Sequence, residues 1–343
     1  MSKPEWLKKQ WRPSADMARV EELVRGLGLN TVCREASCPN YCDCFSRGTA
    51  TFLILGAVCT RECGFCGVTH ATPEPACQGD GTFYHRDVYH GDGTFDRPLD
   101  QGEAMRVAGA VSQGDGTFYH RDGTFDRPPE PACQGDGGSP VAPEPVDQSE
   151  AMRVAEAVKA LGLSYVVITS VTRDDLEDGG ASEFARTVRE IRRLSPETNI
   201  ETLIPDFKGD EAALDIVLEA APDVISHNIE TVRGLYDKVR PQADYDRSLK
   251  LLRRISDHKG TQGDGTTEAI QKKRIKCKSG LMVGVGETYE QVCETIDDLG
   301  KAGCTILTIG QYLRPSQDNI PVEEFIKPEI FERWAEYARG IGF

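Results

Sequence analysis

The residues of this sequence best suited to chemistry are its cysteines, because seven of the twelve lie between positions 33 and 66. Cys59, Cys63 and Cys66 have the spacing C-x3-C-x2-C and follow directly after a short apolar run. Three thiolates on one tight loop can bind three irons of a [4Fe–4S] cluster and leave the fourth iron open for a ligand. A structural zinc site is the alternative, and it would need a fourth ligand such as His70. The spacing favours the cluster.

A second set of cysteines, Cys33, Cys38 and Cys44, has the spacing C-x4-C-x5-C, and Cys42 lies inside it. In a secreted protein such a set would suggest disulfides, but residues 1–7 (MSKPEWL) do not form a signal peptide. We therefore expect the second set to bind a second iron–sulfur cluster.

The bulk properties of the chain exclude several classes of function. A formal net charge of −15 argues against a nucleic-acid partner, since phosphate binding needs a basic surface. No run of about 18 apolar residues is present, so no membrane span is predicted. With 343 residues the chain can form one barrel or two smaller domains. We expect a cytoplasmic protein.

The elements that must position these cysteines follow an α/β pattern. Apolar strands are predicted at residues 51–56, 165–169, 200–204, 224–227, 281–285 and 306–309. Helices are predicted at residues 15–27, 150–161, 182–194, 211–221, 244–255 and 288–302. Strands that alternate with helices indicate a parallel sheet. Six such units are fewer than the eight of a closed barrel, so we predict a partial (β/α)6 barrel, with a doubly wound sheet as the alternative. In both folds the loops at the carboxyl ends of the strands contain the functional residues.

Residues 76–143 do not share this pattern. The segment PEPACQGDG occurs at 73–81 and again at 129–137, and QGEAMRVAGAV at 101–111 nearly repeats 148–158. The offsets between copies differ, which argues against a solenoid, since a solenoid has a fixed period. The segment is rich in Gly and Asp, so we predict a disordered insertion. The predicted organisation is an N-terminal helix and cysteine segment at 1–48 and a partial barrel at 49–343, interrupted by 76–143.

The sequences around the cysteines, CREASCPN, GTATFLILG and CTRECGFC, resemble the lipoyl synthases of the radical S-adenosylmethionine (SAM) superfamily. The resemblance implies that Cys59, Cys63 and Cys66 bind the [4Fe–4S] cluster that cleaves SAM. It also implies that Cys33, Cys38 and Cys44 bind an auxiliary [4Fe–4S] cluster that donates sulfur. The implied reaction inserts sulfur at carbons 6 and 8 of an octanoyl chain on a carrier-protein lysine.

The resemblance extends along most of the chain and implies a set of residues that bind SAM. They are Phe65, Thr169, Ser170, Arg173, Asp174, Asn228, Glu230, Arg240, Met282, Gly284 and Glu287. Taken alone, each of these motifs also has a structural explanation. His227, beside a predicted buried strand, is expected to be a hydrogen-bonded core histidine.

The resemblance also implies partners, namely octanoylated lipoyl domains or a carrier protein and a low-potential electron donor of the ferredoxin or flavodoxin type. The family's final Arg-Ser-Ser, whose serine completes the auxiliary cluster, has no counterpart in the printed sequence, so we expect that cluster to lack one ligand. Two alternatives stay open: a biotin-synthase-like sulfur insertion, and a non-catalytic iron–sulfur or zinc protein.

Overall fold

The computed structural model describes residues 3–7, 15–35, 49–71, 141–258 and 274–343. These residues all belong to one unit of the chain, residues 1–73 and 140–343. The side chain of Cys33, together with Cys38, Cys42 and Cys44, lies outside the described residues, as does the predicted insertion up to residue 140. The predictions made for them stay predictions.

Six parallel strands and one antiparallel edge strand form the main sheet. The strands are β1 Asn30–Thr31, β2 Thr49–Ile54, β3 Val58–Cys59, β4 Thr69–His70, β5 Tyr165–Ser170, β6 Asn199–Leu203, β7 Val224–Ser226, β8 Lys276–Val283 and β9 Ile306–Gln311. The order in the main sheet is β1-β2-β5-β6-β7-β8-β9, and β3 pairs with β4 separately. The β1–β2 pairing is antiparallel, and the pairings from β2 to β9 are parallel. The parallel strands follow chain order without the reversal that defines a doubly wound sheet. The predicted partial barrel is therefore confirmed.

Helices alternate with these strands along the chain and also precede the first strand and follow the last. They are α1 Ala15–Gly26, α2 Val32–Glu35, α3 Glu150–Leu161, α4 Ala181–Leu194, α5 Glu211–Glu219, α6 Tyr236–Val239, α7 Tyr245–Asp257, α8 Tyr289–Lys301 and α9 Pro328–Gly340. At α5, α7 and α8 a side chain at the N-terminus accepts a hydrogen bond from a free backbone N–H group, and at α8 Thr288 and Gln291 form reciprocal hydrogen bonds. No helix in the described part of the chain is long and apolar enough to span a membrane.

The two faces of the sheet differ in burial. The row Phe52, Ile168, Thr202, Ile225 and Cys277 is continuous in register and is at most 2% exposed, because it packs under the helices. Side chains alternate along a strand, so the neighbouring rows point to the other side. That side includes the partly buried Thr51, Val167, Leu203 and Lys278 and the exposed Thr308. We call it the open face.

Two of the longer elements differ from the sequence predictions, and the short elements β1, β3, β4, α2 and α6 were not predicted. β8 begins at Lys276, five residues before the predicted start. The prediction placed the start too late because Lys278 and Ser279 interrupt the apolar pattern. Helix α9 was not predicted, since only its Trp334 and Ala338 are buried.

Candidate active site at the carboxyl edge of the sheet

The cysteine loop, residues 59–68, follows β2 and begins at the last residue of the short strand β3. Leu55 and Gly56 adopt positive φ angles of 69° and 91°, which turn the chain into β3. β3 and β4 then pair in register, and the N–H of Ala71 donates to the carbonyl of Cys59 at 2.7 Å. The two ends of the loop are therefore held together.

Loops from two other strands support the same loop. The N–H of Gly64 donates to the carbonyl of Val239 at 3.0 Å, and the N–H of Ile320 donates to the carbonyl of Gly64 at 2.9 Å. A Cβ at position 64 would lie 2.9 Å from Cγ2 of Ile320, so only glycine fits. Nδ2 of Asn319 donates to the carbonyl of Cys66 at 2.8 Å. These contacts hold the loop in a defined conformation.

Arg61 joins the cysteine loop to the loops after β5 and β6. Its Nε and Nη2 donate to the two carboxylate oxygens of Asp174 at 2.7 and 2.9 Å. Nη2 also lies 2.7 Å from Oδ1 of Asp206, whose side chain is fully buried. Burial alone would lower the pKa of Arg61, but its hydrogen bonds to Asp174 and Asp206 outweigh this and raise it. No role was predicted for Arg61 or Asp206, and the only signal in the sequence is the position of Arg61 between two cysteines.

Cys59, Cys63 and Cys66 are free and partly buried. Burial raises the pKa of Cys63, and it raises the pKa of Cys66 to about 12. A bound metal group would displace these protons, since a metal binds the thiolate. Soft thiolate donors suit an iron–sulfur cluster. Within the described ranges, no set of three or more His, Cys, Asp or Glu side chains is gathered to hold a metal ion.

The predicted SAM-binding residues at the end of β5 and just after it divide into two groups. Oγ1 of Thr169 donates to the carbonyl of Leu203 at 2.9 Å, and Asp174 is paired with Arg61. Arg173 donates to Asp175, and its Nη1 donates to the carbonyl of Leu55 at 3.2 Å. These side chains use their polar atoms within the protein.

Ser170 differs from its neighbours. Its Oγ is buried without a partner in the described structure.

The residues after β7 bring two opposite charges to the cysteine loop. Glu230 lies at a positive φ of 66° and pairs with β8, as Met282 donates its N–H to the carbonyl of Glu230 at 2.8 Å. Burial raises the pKa of Glu230, and Arg240 opposes this. Nη1 of Arg240 donates to the carbonyl of Asn228 at 3.0 Å, whereas its buried Nε has no partner among the described residues. The positive charge of Arg240 opposes the burial effect on the pKa of Cys63.

The end of β8 places the last predicted residues. Met282 and Phe65 pack against the same small apolar group, formed by Val239, Val285 and Tyr312. Gly284 has a φ of 96°, and the carboxylate of Glu287 accepts hydrogen bonds from the N–H groups of Gly284 and Val285. Glu287 therefore shapes the turn.

His227 is a core residue, as predicted. It is 1% exposed, its Nδ1 lies 2.9 Å from the carbonyl of Ile204, and its Nε2 lies 3.0 Å from Oγ of Ser248. Burial lowers its pKa to about 4, so the ring is neutral at neutral pH.

Comparison with known proteins places this site in context. The model of the radical SAM superfamily matches residues 53–299. The chain is 42% identical to the lipoyl synthase of Caldicellulosiruptor saccharolyticus, over 99% of this chain and 90% of the relative. It is 41% identical to the lipoyl synthase of Symbiobacterium thermophilum, over 99% of this chain and 81% of the relative.

Two solved structures are also similar, both at 14% identity. Methylornithine synthase gives a TM-score of 0.43 and covers 59% of this chain and 56% of its own. Coproporphyrinogen III oxidase from Escherichia coli gives a TM-score of 0.40, with 56% and 44% covered.

Proposed function

The chain belongs to the lipoyl synthase family of the radical SAM superfamily, and we propose that it inserts two sulfur atoms into an octanoyl chain on a carrier-protein lysine. The observation that supports this best is the cysteine loop, which presents three thiols at the carboxyl edge of the parallel sheet. Cys59, Cys63 and Cys66 would hold one [4Fe–4S] cluster with an open iron. With SAM bound, that cluster supplies a carbon-centred radical able to remove hydrogen from an unactivated carbon.

Residues near the loop would bind SAM. Oγ of Ser170 and Nε of Arg240 are buried polar atoms without partners in the described structure, and a ligand would satisfy them. A Cβ at position 280 would lie 2.9 Å from Oδ1 of Asn228, so Gly280 lets Asn228 approach the sheet. Met282 and Phe65 would contact the less polar parts of the cofactor.

The octanoyl chain would lie along the open face. Val167 and Leu203 are partly buried apolar side chains on this face, and a Cβ at Gly310 would meet no atom within 4 Å. An acyl chain placed there would remove apolar surface from water, which favours binding.

A second [4Fe–4S] cluster, held by Cys33, Cys38 and Cys44, would donate the sulfur. The partners we propose are an octanoylated lipoyl domain and a low-potential electron donor. We place the protein in the cytoplasm, where thiols and clusters stay reduced.

The test is anaerobic reconstitution of the parent and of two variants. We expect about eight irons per chain in the parent and about four in Cys59→Ala/Cys63→Ala/Cys66→Ala, which should not cleave SAM. The variant Cys33→Ala/Cys38→Ala/Cys44→Ala should also bind about four irons and cleave SAM, but should not thiolate an octanoyl-lysyl peptide.

The control is Cys293→Ala, because Cys293 is also a free, partly buried cysteine but lies on α8. It should match the parent in iron content and in both activities. Zinc in place of iron, or a fully loaded parent that thiolates no octanoyl peptide, would refute the proposal.

A further inference from the structure

The sulfur of Cys59 accepts two backbone hydrogen bonds. The N–H of Thr172 lies 3.3 Å from Sγ, and the N–H of Arg61 lies 3.5 Å from it. Hydrogen bonds to the ligand sulfurs are among the factors that set the reduction potential of an iron–sulfur cluster. An added electron increases the negative charge on these sulfurs, so N–H donors stabilise the reduced state and raise the potential.

The donor at Thr172 comes from a different loop, and its position depends on contacts between the two loops. Thr60 donates to the carbonyl of Thr172 from its N–H at 3.0 Å and from its Oγ1 at 2.9 Å. The N–H of Asp174 in turn donates to Oγ1 of Thr60 at 3.0 Å. These bonds align the loop after β5 with the first residues of the cysteine loop.

Arg61 is the side chain that holds this alignment. Only 3% of it is exposed, and its planar guanidinium binds Asp174 through two parallel hydrogen bonds while it also contacts Asp206. Nε of Arg247 lies 3.3 Å from the other oxygen of Asp206 without a hydrogen bond, and the N–H of Lys208 donates to Oδ1 of Asp206 at 3.1 Å. A lysine would keep the charge but could not form the two parallel bonds. Without Arg61, Asp174 would lose its paired contact, and the loop bearing Thr172 could move away from Cys59.

We propose that Arg61 is a positioning residue that holds the Thr172 N–H against Cys59 Sγ and thereby raises the reduction potential of the cluster at Cys59, Cys63 and Cys66. This inference rests on the proposed function, since it requires that cluster. The same inference makes Asp174 a positioning residue for the loop after β5 that contains Thr172.

The test measures a potential, which a merely structural contact would not shift. Variants are made in the Cys33→Ala/Cys38→Ala/Cys44→Ala background, so that only one cluster gives the EPR signal. Iron content and the midpoint potential from an EPR-monitored redox titration are compared for the parent, Arg61→Gln, Arg61→Lys and Asp174→Asn. The matched control is Arg192→Gln, which removes an arginine–aspartate pair at the amino edge of the sheet, where Asp223 precedes β7.

We expect about four irons in every protein. Arg61→Gln and Asp174→Asn should have more negative potentials, equivalent to about a tenfold lower ratio of reduced to oxidised cluster, or about 59 mV for one electron. Arg61→Lys should shift less, and Arg192→Gln should match the parent.

Loaded variants with the parent's potential would overturn the inference. Loss of iron from all three variants at positions 61 and 174 would also overturn it and would leave a purely structural role. A parent that binds no cluster would refute the proposed function before any variant is compared.

Discussion

The carboxylate of Glu150 accepts a hydrogen bond from the backbone N–H of Leu55 at 2.8 Å. Glu150 is the first residue of α3, and Leu55 is the left-handed residue of the turn between β2 and the cysteine loop. Glu144 acts on the same turn, since its carboxylate accepts the N–H of Ala57 at 3.3 Å. The segment that follows residues 72–140 therefore fixes the start of the cysteine loop.

Replacing Glu150 should test this relationship. Glu150→Ala leaves the Leu55 N–H without a partner and should lower the free energy of unfolding by about 1–3 kcal/mol, measured by urea denaturation. Glu150→Gln keeps an acceptor oxygen and should cost less. Glu156→Ala, on the exposed side of the same helix, should change stability by less than about 0.5 kcal/mol. Equal effects of Ala at 150 and 156 would contradict the role of Glu150.

The buried imidazole of His227 should make stability fall in mild acid. Burial, and next the charge of Arg240, lower its pKa from 6.5 to about 4, and Asp206 opposes this. Between pH 6.5 and about 4 the unfolded chain binds a proton at this site that the folded chain does not. The neutral imidazole therefore contributes its full stabilisation above pH 6.5. As the pH falls from 6.5 to about 4, this contribution to the free energy of unfolding is lost, by about 3 kcal/mol in total.

The measurement is the free energy of unfolding from urea titrations at several pH values. As the pH falls over this range, the free energy of unfolding of His227→Gln should decrease less steeply than that of the parent. His258→Gln, at the end of α7, is the control and should keep the parent's slope. A parent slope that persists in His227→Gln would assign the effect to other groups.

Glu201 and Lys278 form an ion pair on the open face. Nζ of Lys278 lies 2.7 Å from Oε1 of Glu201, whose side chain is 3% exposed, and Tyr165 also donates to Glu201. Lys278→Met leaves the buried carboxylate of Glu201 without its ion-pair partner. It should lower the free energy of unfolding by about 3 kcal/mol.

The double variant Glu201→Gln/Lys278→Met should lose less free energy of unfolding than Lys278→Met alone, because the buried charge is then gone. A double-mutant cycle by urea denaturation measures this coupling. Arg233→Gln, which removes an exposed pair with Asp246, should cost less than about 1 kcal/mol. Additive effects of the two open-face substitutions would contradict the pairing.

Gly284 and Gly310 should respond differently to the addition of one methyl group. A Cβ at Gly284 would lie 2.3 Å from Nε2 of Gln311 and 2.4 Å from the carbonyl oxygen of Glu324, at a φ of 96°. Gly284→Ala should therefore lower stability by about 2 kcal/mol or more. Gly310→Ala meets no protein atom, so its stability should match the parent, whereas its KM for an octanoyl-lysyl peptide should rise. An unchanged KM would argue against an acyl site beside Gly310.

Much of the fold could be predicted from the sequence, because each βα unit has a strong local pattern. The helix at Glu150–Leu161 was predicted with its observed bounds, since its apolar residues recur at helical spacing. β8 was placed too late because Lys278 pairs with Glu201 across the sheet, a contact that no local pattern contains.

The site was predictable only in part. The spacing of Cys59, Cys63 and Cys66 predicted that they share one loop. No local pattern indicated that Asp174 and Asp206 both bind Arg61, because they lie 113 and 145 positions further along the chain. Such contacts depend on the order of strands in the sheet, which brings successive loops to one edge.

The unequal burial of the two sheet faces bears on how such a protein can change over evolutionary time. Phe52, Ile168 and Ile225 lie under the helices, where a change of volume costs several kcal/mol. Thr51, Val167 and Thr308 face the other way, so replacing them alters what can bind at little cost to folding. A lineage built on this sheet can therefore explore new substrates by changing one face while the other keeps the scaffold intact.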